Sequence, residues 1–353
     1  MGKTINFKKA AQKQKRSRDN RLWRTLLNCI YAIADLCPWE VAGPDTPFVY
    51  IPEKYNQMIF FSCVRDAVDG SFGVVVYPSP QEYLAATHER ATGREEMRSY
   101  IESDVYTVTF TPCRADVPED MLKVYRRLGL DFKGGLWPWA IHKRRGYLGA
   151  VPEGDDLAFL MDCLGNFHMQ VKALCQGALQ GKLKEGDAVL RFFMADGREP
   201  WKTTILPFAE LELPPAPRAS VVMQETAETL NELRSLPPAQ LVQQMEFDFS
   251  WLAEPVQDKP SDEPFFPVVA VVTDRKSGEP LAVRGGRPEE LLGCAFDAWQ
   301  EALHKCGVPK TLYVGRDESL DLFEDFAKKL GVRCKQVKRL PAAAKVLRNC
   351  GAV

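Results

Sequence analysis

The sequence predicts an α+β protein in two parts, an N-terminal antiparallel β-sheet with helices followed by a C-terminal α/β sandwich with a mixed sheet. Three observations carry this. The spacing of apolar residues alternates along the 353 residues between a period of two and one of about 3.6, the mark of interleaved strands and helices. Prolines crowd LPPAPRAS, SLPPAQ and EPVQDKPSDEPFFP, so a connector is expected between two cores. A chain of this length also exceeds what a single core usually serves. The expected segments are 1–19 as a disordered basic arm, 20–212 as the N-terminal domain, 213–243 as connector and 244–353 as the C-terminal domain.

The first 24 residues, which include the arm, hold nine Lys or Arg against one Asp, and the arm shows no apolar periodicity. It reads as a solvated tail or a tether to RNA, the ribosome or an acidic protein. From Asn20, Trp23, Leu26, Leu27, Ile30, Tyr31 and Ala34 share one helical face, which ends before Pro38. FVYI, QMIFFSCV and SFGVVVYP follow with links too short for crossover helices, so they predict an antiparallel meander. A charged helix over 81–103 precedes the alternating strand VYTVTF. Met121, Leu122, Tyr125 and Leu128 then form the inner face of another helix. After the Gly- and Trp-rich LGLDFKGGLWPWAIHKRRGY come a long helix over 155–180 and the strands AVLRFFMAD and WKTTILPF.

In the C-terminal part, PFFPVVAVVTD and LAVR flank the turn RKSGEP as a hairpin. Leu292, Ala295, Phe296, Trp299, Leu303 and Cys306 then recur at helical spacing, with Pro288 before them and Gly307 as the stop. TLYVG, a helix from Ser319 to Leu330, VRCKQV and a helix from Leu340 to Asn349 complete the module. The strand-like MEFDFSWL lies among the prolines, before the hairpin.

Forty-six basic and 47 acidic residues leave a net charge of -1, which argues against affinity of the whole chain for nucleic acid or anionic lipid. Ten cysteines without a CxxC pair predict thiols in a reducing compartment, and no stretch has the length of a signal or membrane segment. The expectation is a cytoplasmic protein without membrane contact. The four histidines lack the paired spacing of a zinc site, so no metal site is expected.

Two groups of residues could carry function. Trp137 and Trp139 lie near Lys133, Lys143, Arg144 and Arg145, and aromatics among cations suit a partner surface or stacked bases; packing across a sheet explains them as well. Asp274 ends a strand and Asp317 follows another, with Glu290 and Asp297 on the intervening helix. This strand order partly resembles the ribonuclease H fold, which places one carboxylate on its first strand and another after the strand that follows the first helix. Such a set would hold Mg or Mn for phosphoryl transfer. A turn cap at Asp274 and a helix N-cap at Asp317 explain the same residues locally.

PWE at Pro38, GLDFKGGLWPW at Gly129 and the GY run at Gly146 resemble an uncharacterised bacterial module. FFPVVAVVTDRKSGEPLAV, GVPKTLYV and LGVRCKQVKRLP are similar to a second module that often follows it. Both are domains of unknown function, covering together most of 20–350. The resemblance implies a bacterial cytosolic protein of two modules and no reaction. The sequence therefore points to a non-catalytic binding or adaptor protein without cofactor, whose partner is a protein rather than nucleic acid. The alternative is a metal-dependent nuclease or phosphoryl-transfer enzyme.

Overall fold

The computed structural model describes residues 7–53, 57–66, 70–92, 97–132, 135–194, 200–214, 227–259 and 262–352. The chain forms two compact units. Unit 1 comprises Met1–Glu95, Ser103–Arg144 and Gly149–Pro214; unit 2 comprises Glu96–Glu102, Arg145–Leu148 and Pro215–Val353. The second unit thus includes two short excursions from within the N-terminal half, which a contiguous 20–212 domain did not anticipate.

In chain order the first half holds α1 (Phe7–Ala34), β1 (Phe48–Ile51), β2 (Ile59–Arg65), β3 (Phe72–Tyr77), α2 (Pro80–Thr92), α3 (Met97–Glu102), β4 (Val105–Thr111), α4 (Glu119–Leu128), β5 (Trp137–Lys143), α5 (Gly154–Gln176), β6 (Asp187–Phe193) and β7 (Trp201–Pro207). Helix α1 replaces the expected arm from Phe7 onward, and residues 1–6 of that arm lie outside the described residues. Lys, Gln, Arg and Ala are good helix formers, and no Gly or Pro interrupts them between Phe7 and the apolar stripe that starts at Trp23. The charged helix expected over 81–103 is divided into α2 and α3, with 93–96 outside the described residues.

The seven strands of unit 1 run β5-β4-β3-β2-β1-β6-β7. All neighbours are antiparallel except β1 and β6, because the chain passes through α5 before β6 returns beside β1. Helices α1 and α5 cover one face, where Trp23, Leu26, Ile30, Leu160, Leu164 and Phe167 are buried and Phe167 stacks on Phe61 at 5.1 Å. On the other face Tyr83 of α2 stacks on Phe60 at 4.9 Å. The buried Gln170 of α5 donates its amide protons to the carbonyls of Val49 and Val189, at 2.8 and 2.9 Å, pinning the parallel pair.

Unit 2 adds α6 (Ala227–Ser235), β8 (Gln244–Trp251), β9 (Val268–Asp274), β10 (Pro280–Gly286), α7 (Leu291–Cys306), β11 (Thr311–Val314), α8 (Asp317–Lys329), β12 (Arg333–Gln336) and α9 (Pro341–Asn349). Of the expected connector 213–243, residues 215–226 lie outside the described set, and α6 buries its Leu233 in the core of this unit. The sheet order is β10-β9-β8-β11-β12. Strand β9 is antiparallel to β8 and β10, whereas β11 is parallel to β8 and β12.

Three strands, β8, β9 and β10, therefore run in succession before α7. MEFDFSW, which the sequence left unplaced before the hairpin, is the first and central strand of the sheet, and this completes the ribonuclease H-like order. Phe247, Trp299 and Phe323 pack in the core under α7 and α8. Val269, Val271, Leu340, Ala343 and Leu347 pack under α9. Among the described residues the ten cysteines form no disulfide, and no helix is long and apolar enough to cross a membrane.

Candidate functional site

Strand β5 carries the aromatic segment and forms an edge of the sheet, which is where Pro138 is tolerated in a strand. Alternation places Pro138, Ala140 and His142 on the buried side, leaving Trp137, Trp139 and Ile141 half-buried on the other. Trp137 packs against Phe132 and Tyr125, with the Arg114 guanidinium 5.6 Å from its ring centre. Trp139 lines a cleft of about 500 Å³ with Val64, Arg65, Asp66, Ser71, Phe72, Thr109, Thr111 and Asp116. One wall of it is fixed by the Thr111 hydroxyl, which donates to Asp116 at 3.0 Å.

Among the described residues of this unit, Lys143 does not join this pair. Lys143 is four residues beyond Trp139, about 13 Å along the strand, and it is buried, donating to the Ser103 carbonyl at 3.1 Å. Arg144 is exposed in the following turn. Arg145 belongs to unit 2 and forms a two-pronged contact with Glu318 at 3.2 Å. Lys133 lies outside the described residues.

Beside Lys143, His142 places Nε2 3.0 Å from Asp104 and Nδ1 3.5 Å from Asp156. Its ring stacks on Tyr106 at 3.8 Å, and the Tyr106 hydroxyl lies 3.3 Å from Asp156. These contacts tie the start of β4, the end of β5 and the start of α5 together. Burial pushes the Lys143 ammonium down to about 8, against the opposing pull of Glu82 and Asp104.

A stability consequence follows. Between pH 8 and 10.5 the unfolded chain still binds the lysine proton while the folded chain has released it, so stability rises with pH across that window. Lys143→Met is expected to flatten the rise, as read by urea denaturation at closely spaced pH values.

In unit 2 the four sequence-predicted carboxylates are dispersed. Register pairs Asp274 with Met245 and Val314 with Phe247, so Asp274 lies at the starting ends of β8 and β11 while Asp317 follows their far ends. Asp274 accepts from the Lys276 and Ser277 N–H groups at 3.1 and 3.2 Å and from the Ser277 hydroxyl at 2.7 Å. These turn hydrogen bonds hold its carboxyl below the usual range even though desolvation opposes them. Asp317 accepts from Gln336 at 2.7 Å, Glu290 accepts from the Arg287 N–H at 2.8 Å, and Asp297 is exposed on α7.

Among the described residues no three His, Cys, Asp or Glu side chains gather as metal ligands. Asp274→Ala is accordingly expected to cost only about 1 kcal/mol, the worth of a turn cap. Chemical denaturation would check this.

The first-strand carboxylates are instead Glu246 and Asp248. Glu246 is fully buried, accepting from the Ala342 and Ala343 N–H groups at 2.9 and 3.1 Å, with Arg275 at 3.3 Å. Asp248 lies 3.3 Å from the Arg316 guanidinium. Burial raises the Asp248 carboxyl despite that cation. Arg316 stands two residues after the end of β11, with its guanidinium 4.3 Å from the Phe249 ring centre and an NH group donating to the Phe249 carbonyl. A fixed cation of the chain thus occupies the space beside the first-strand carboxylate.

Residues 23–191 match the family profile described as a domain of unknown function (DUF7309), and residues 229–349 match that described as a domain of unknown function (DUF6930). The chain joins two domains of unknown function. No curated protein matches the sequence. The DUF6930 region holds β8 to α9 whole, whereas α3 and Arg145–Leu148, which unit 2 includes, come from the DUF7309 region.

Sequence reasoning missed Glu102, Glu246, Asp248 and Arg316. The signal for the middle two was present: Met245, Phe247 and Phe249 alternate with Glu246 and Asp248 as in a half-buried strand. Nothing local marks Arg316, and for Glu102 only the helical spacing from Arg98 is local, its contacts with Trp251 and Arg316 being distant in the chain.

Proposed function

We propose that the chain is a non-catalytic binding or adaptor protein of the cytoplasm, and that its N-terminal unit takes a segment of another protein in the cleft at Trp139. The carrying observation is the lining of that cleft. Val64, Phe72 and Trp139 give it an apolar part, and Ser71, Thr109 and Thr111 add hydroxyls. Its volume suits a few side chains of a bound peptide.

Charge favours peptide over nucleic acid. Among the described residues that line it, the carboxylates of Asp66 and Asp116 outnumber the one cation, Arg65, a balance that repels a phosphate backbone. The C-terminal unit supports the non-catalytic reading, because Arg316 supplies at Asp248 the positive charge that a metal ion would supply in a nuclease.

The test presents full-length protein with an array of random-sequence peptides and with a mixed-sequence RNA oligomer. Parent protein should bind a subset of peptides that Trp139→Ala does not, and should leave the RNA unbound. Peptide binding that survives Trp139→Ala, or RNA binding by the parent, would overturn the assignment.

A further inference from the structure

We propose that the far ends of β8 and β11 in unit 2 form a carboxylate-binding site, and that Glu102 of α3 is its ligand in cis. The place is where an open α/β sheet takes its ligands, beyond the carboxyl ends of parallel neighbours where the strand order turns. There the buried indole N–H of Trp251 donates to Glu102 Oε1 at 3.1 Å. Arg316 approaches the same oxygen at 3.6 Å, and Arg98 donates to it at 3.1 Å.

The receptor side is built without Glu102. Trp251 ends the central strand, and Arg316 is fixed by the Phe249 ring, the Phe249 carbonyl and Asp248. Charge completes the argument. Without Glu102, Arg98, Arg316 and Arg145 face the two carboxylates of Asp248 and Glu318, so the site is left with one uncompensated cation and attracts an anion. Glu102 is delivered there by Ile101, which is fully buried in the unit 2 core, and by the Gly146 N–H that donates to the Ile101 carbonyl at 2.8 Å. Seated in this way, α3 closes the site to other carboxylate-bearing ligands.

Chemical rescue in the full chain tests the site. Glu102→Ala should melt several degrees below the parent, and acetate should restore part of the loss in a saturable way, while chloride at equal ionic strength does not and the parent is unmoved. Equal melting of variant and parent, or equal acetate shifts in both, would overturn the proposal. Should Glu102→Ala fail to fold, Glu102→Gln is measured with and without Arg316→Met. The loss caused by Glu102→Gln should shrink in the Arg316→Met background, and an unchanged loss would overturn the proposal equally.

Discussion

Glu246→Ala is expected to destabilise unit 2 by about 3–5 kcal/mol, the cost of breaking a buried ion pair from one side. The carboxylate does three things at once in a fully buried position. It accepts the first N–H groups of α9 through Ala342 and Ala343, it compensates Arg275, and it anchors β8 to the helix that covers that face. Removing it strands the guanidinium, which stacks 3.9 Å from the Tyr313 ring centre, and leaves two helix N–H groups without their acceptor. Glu246→Gln keeps one acceptor oxygen and should cost less. Urea denaturation gives the magnitude, and hydrogen exchange should show α9 opening first. A loss below about 1 kcal/mol would mean that water replaces the carboxylate without penalty.

The second large effect is expected at Gly146. Its φ of +79° is left-handed, and a Cβ there would lie 2.5 Å from Pro288 Cγ and 2.9 Å from the Trp251 ring. Its N–H donates to Ile101 and its carbonyl accepts from Phe266, both at 2.8 Å, so the backbone cannot move aside without losing the contacts that seat the excursions in unit 2. Gly146→Val should therefore combine about 1–2 kcal/mol for the left-handed conformation with about 1–3 kcal/mol for overpacking. Gly278→Ala is the control, since φ is +75° and no atom lies within 4 Å of its Cβ position, so it carries strain alone. Thermal unfolding should rank Gly146→Val well below Gly278→Ala, and equal losses would show that the close approach to Pro288 and Trp251 relaxes freely.

Much of the secondary structure was legible because it is local. The helix stop at Gly307, the hairpin around RKSGEP and the period of the long helix ending near Gln176 each announce themselves within one stretch of chain. Two features were not. MEFDFSW is surrounded by prolines, so its place as the central strand emerges only once β9 and β11 pair on either side of it. Helix α3 looks like the tail of a charged N-terminal helix, and periodicity cannot say in which core Ile101 is buried.

The same limit governs the sites. Trp139 could be recognised by its type and spacing, but the neighbours that make its cleft come from β2, β3 and β4. Lys143, chosen as a surface cation, is withdrawn because its strand end lies beneath Glu82, Ser103 and Asp104. Asp274 and Asp317 look equivalent in one dimension, and only strand direction separates them by the length of the sheet.

In unit 2 the Arg316 guanidinium stands 3.3 Å from Asp248, and on the proposed non-catalytic reading it takes the place of a divalent ion. Thermal unfolding of the full chain in millimolar Mn²⁺ tests it most directly, because a bound ion stabilises by mass action. No saturable rise in Tm is expected for the parent. A saturable rise that disappears in Asp248→Asn would contradict this reading.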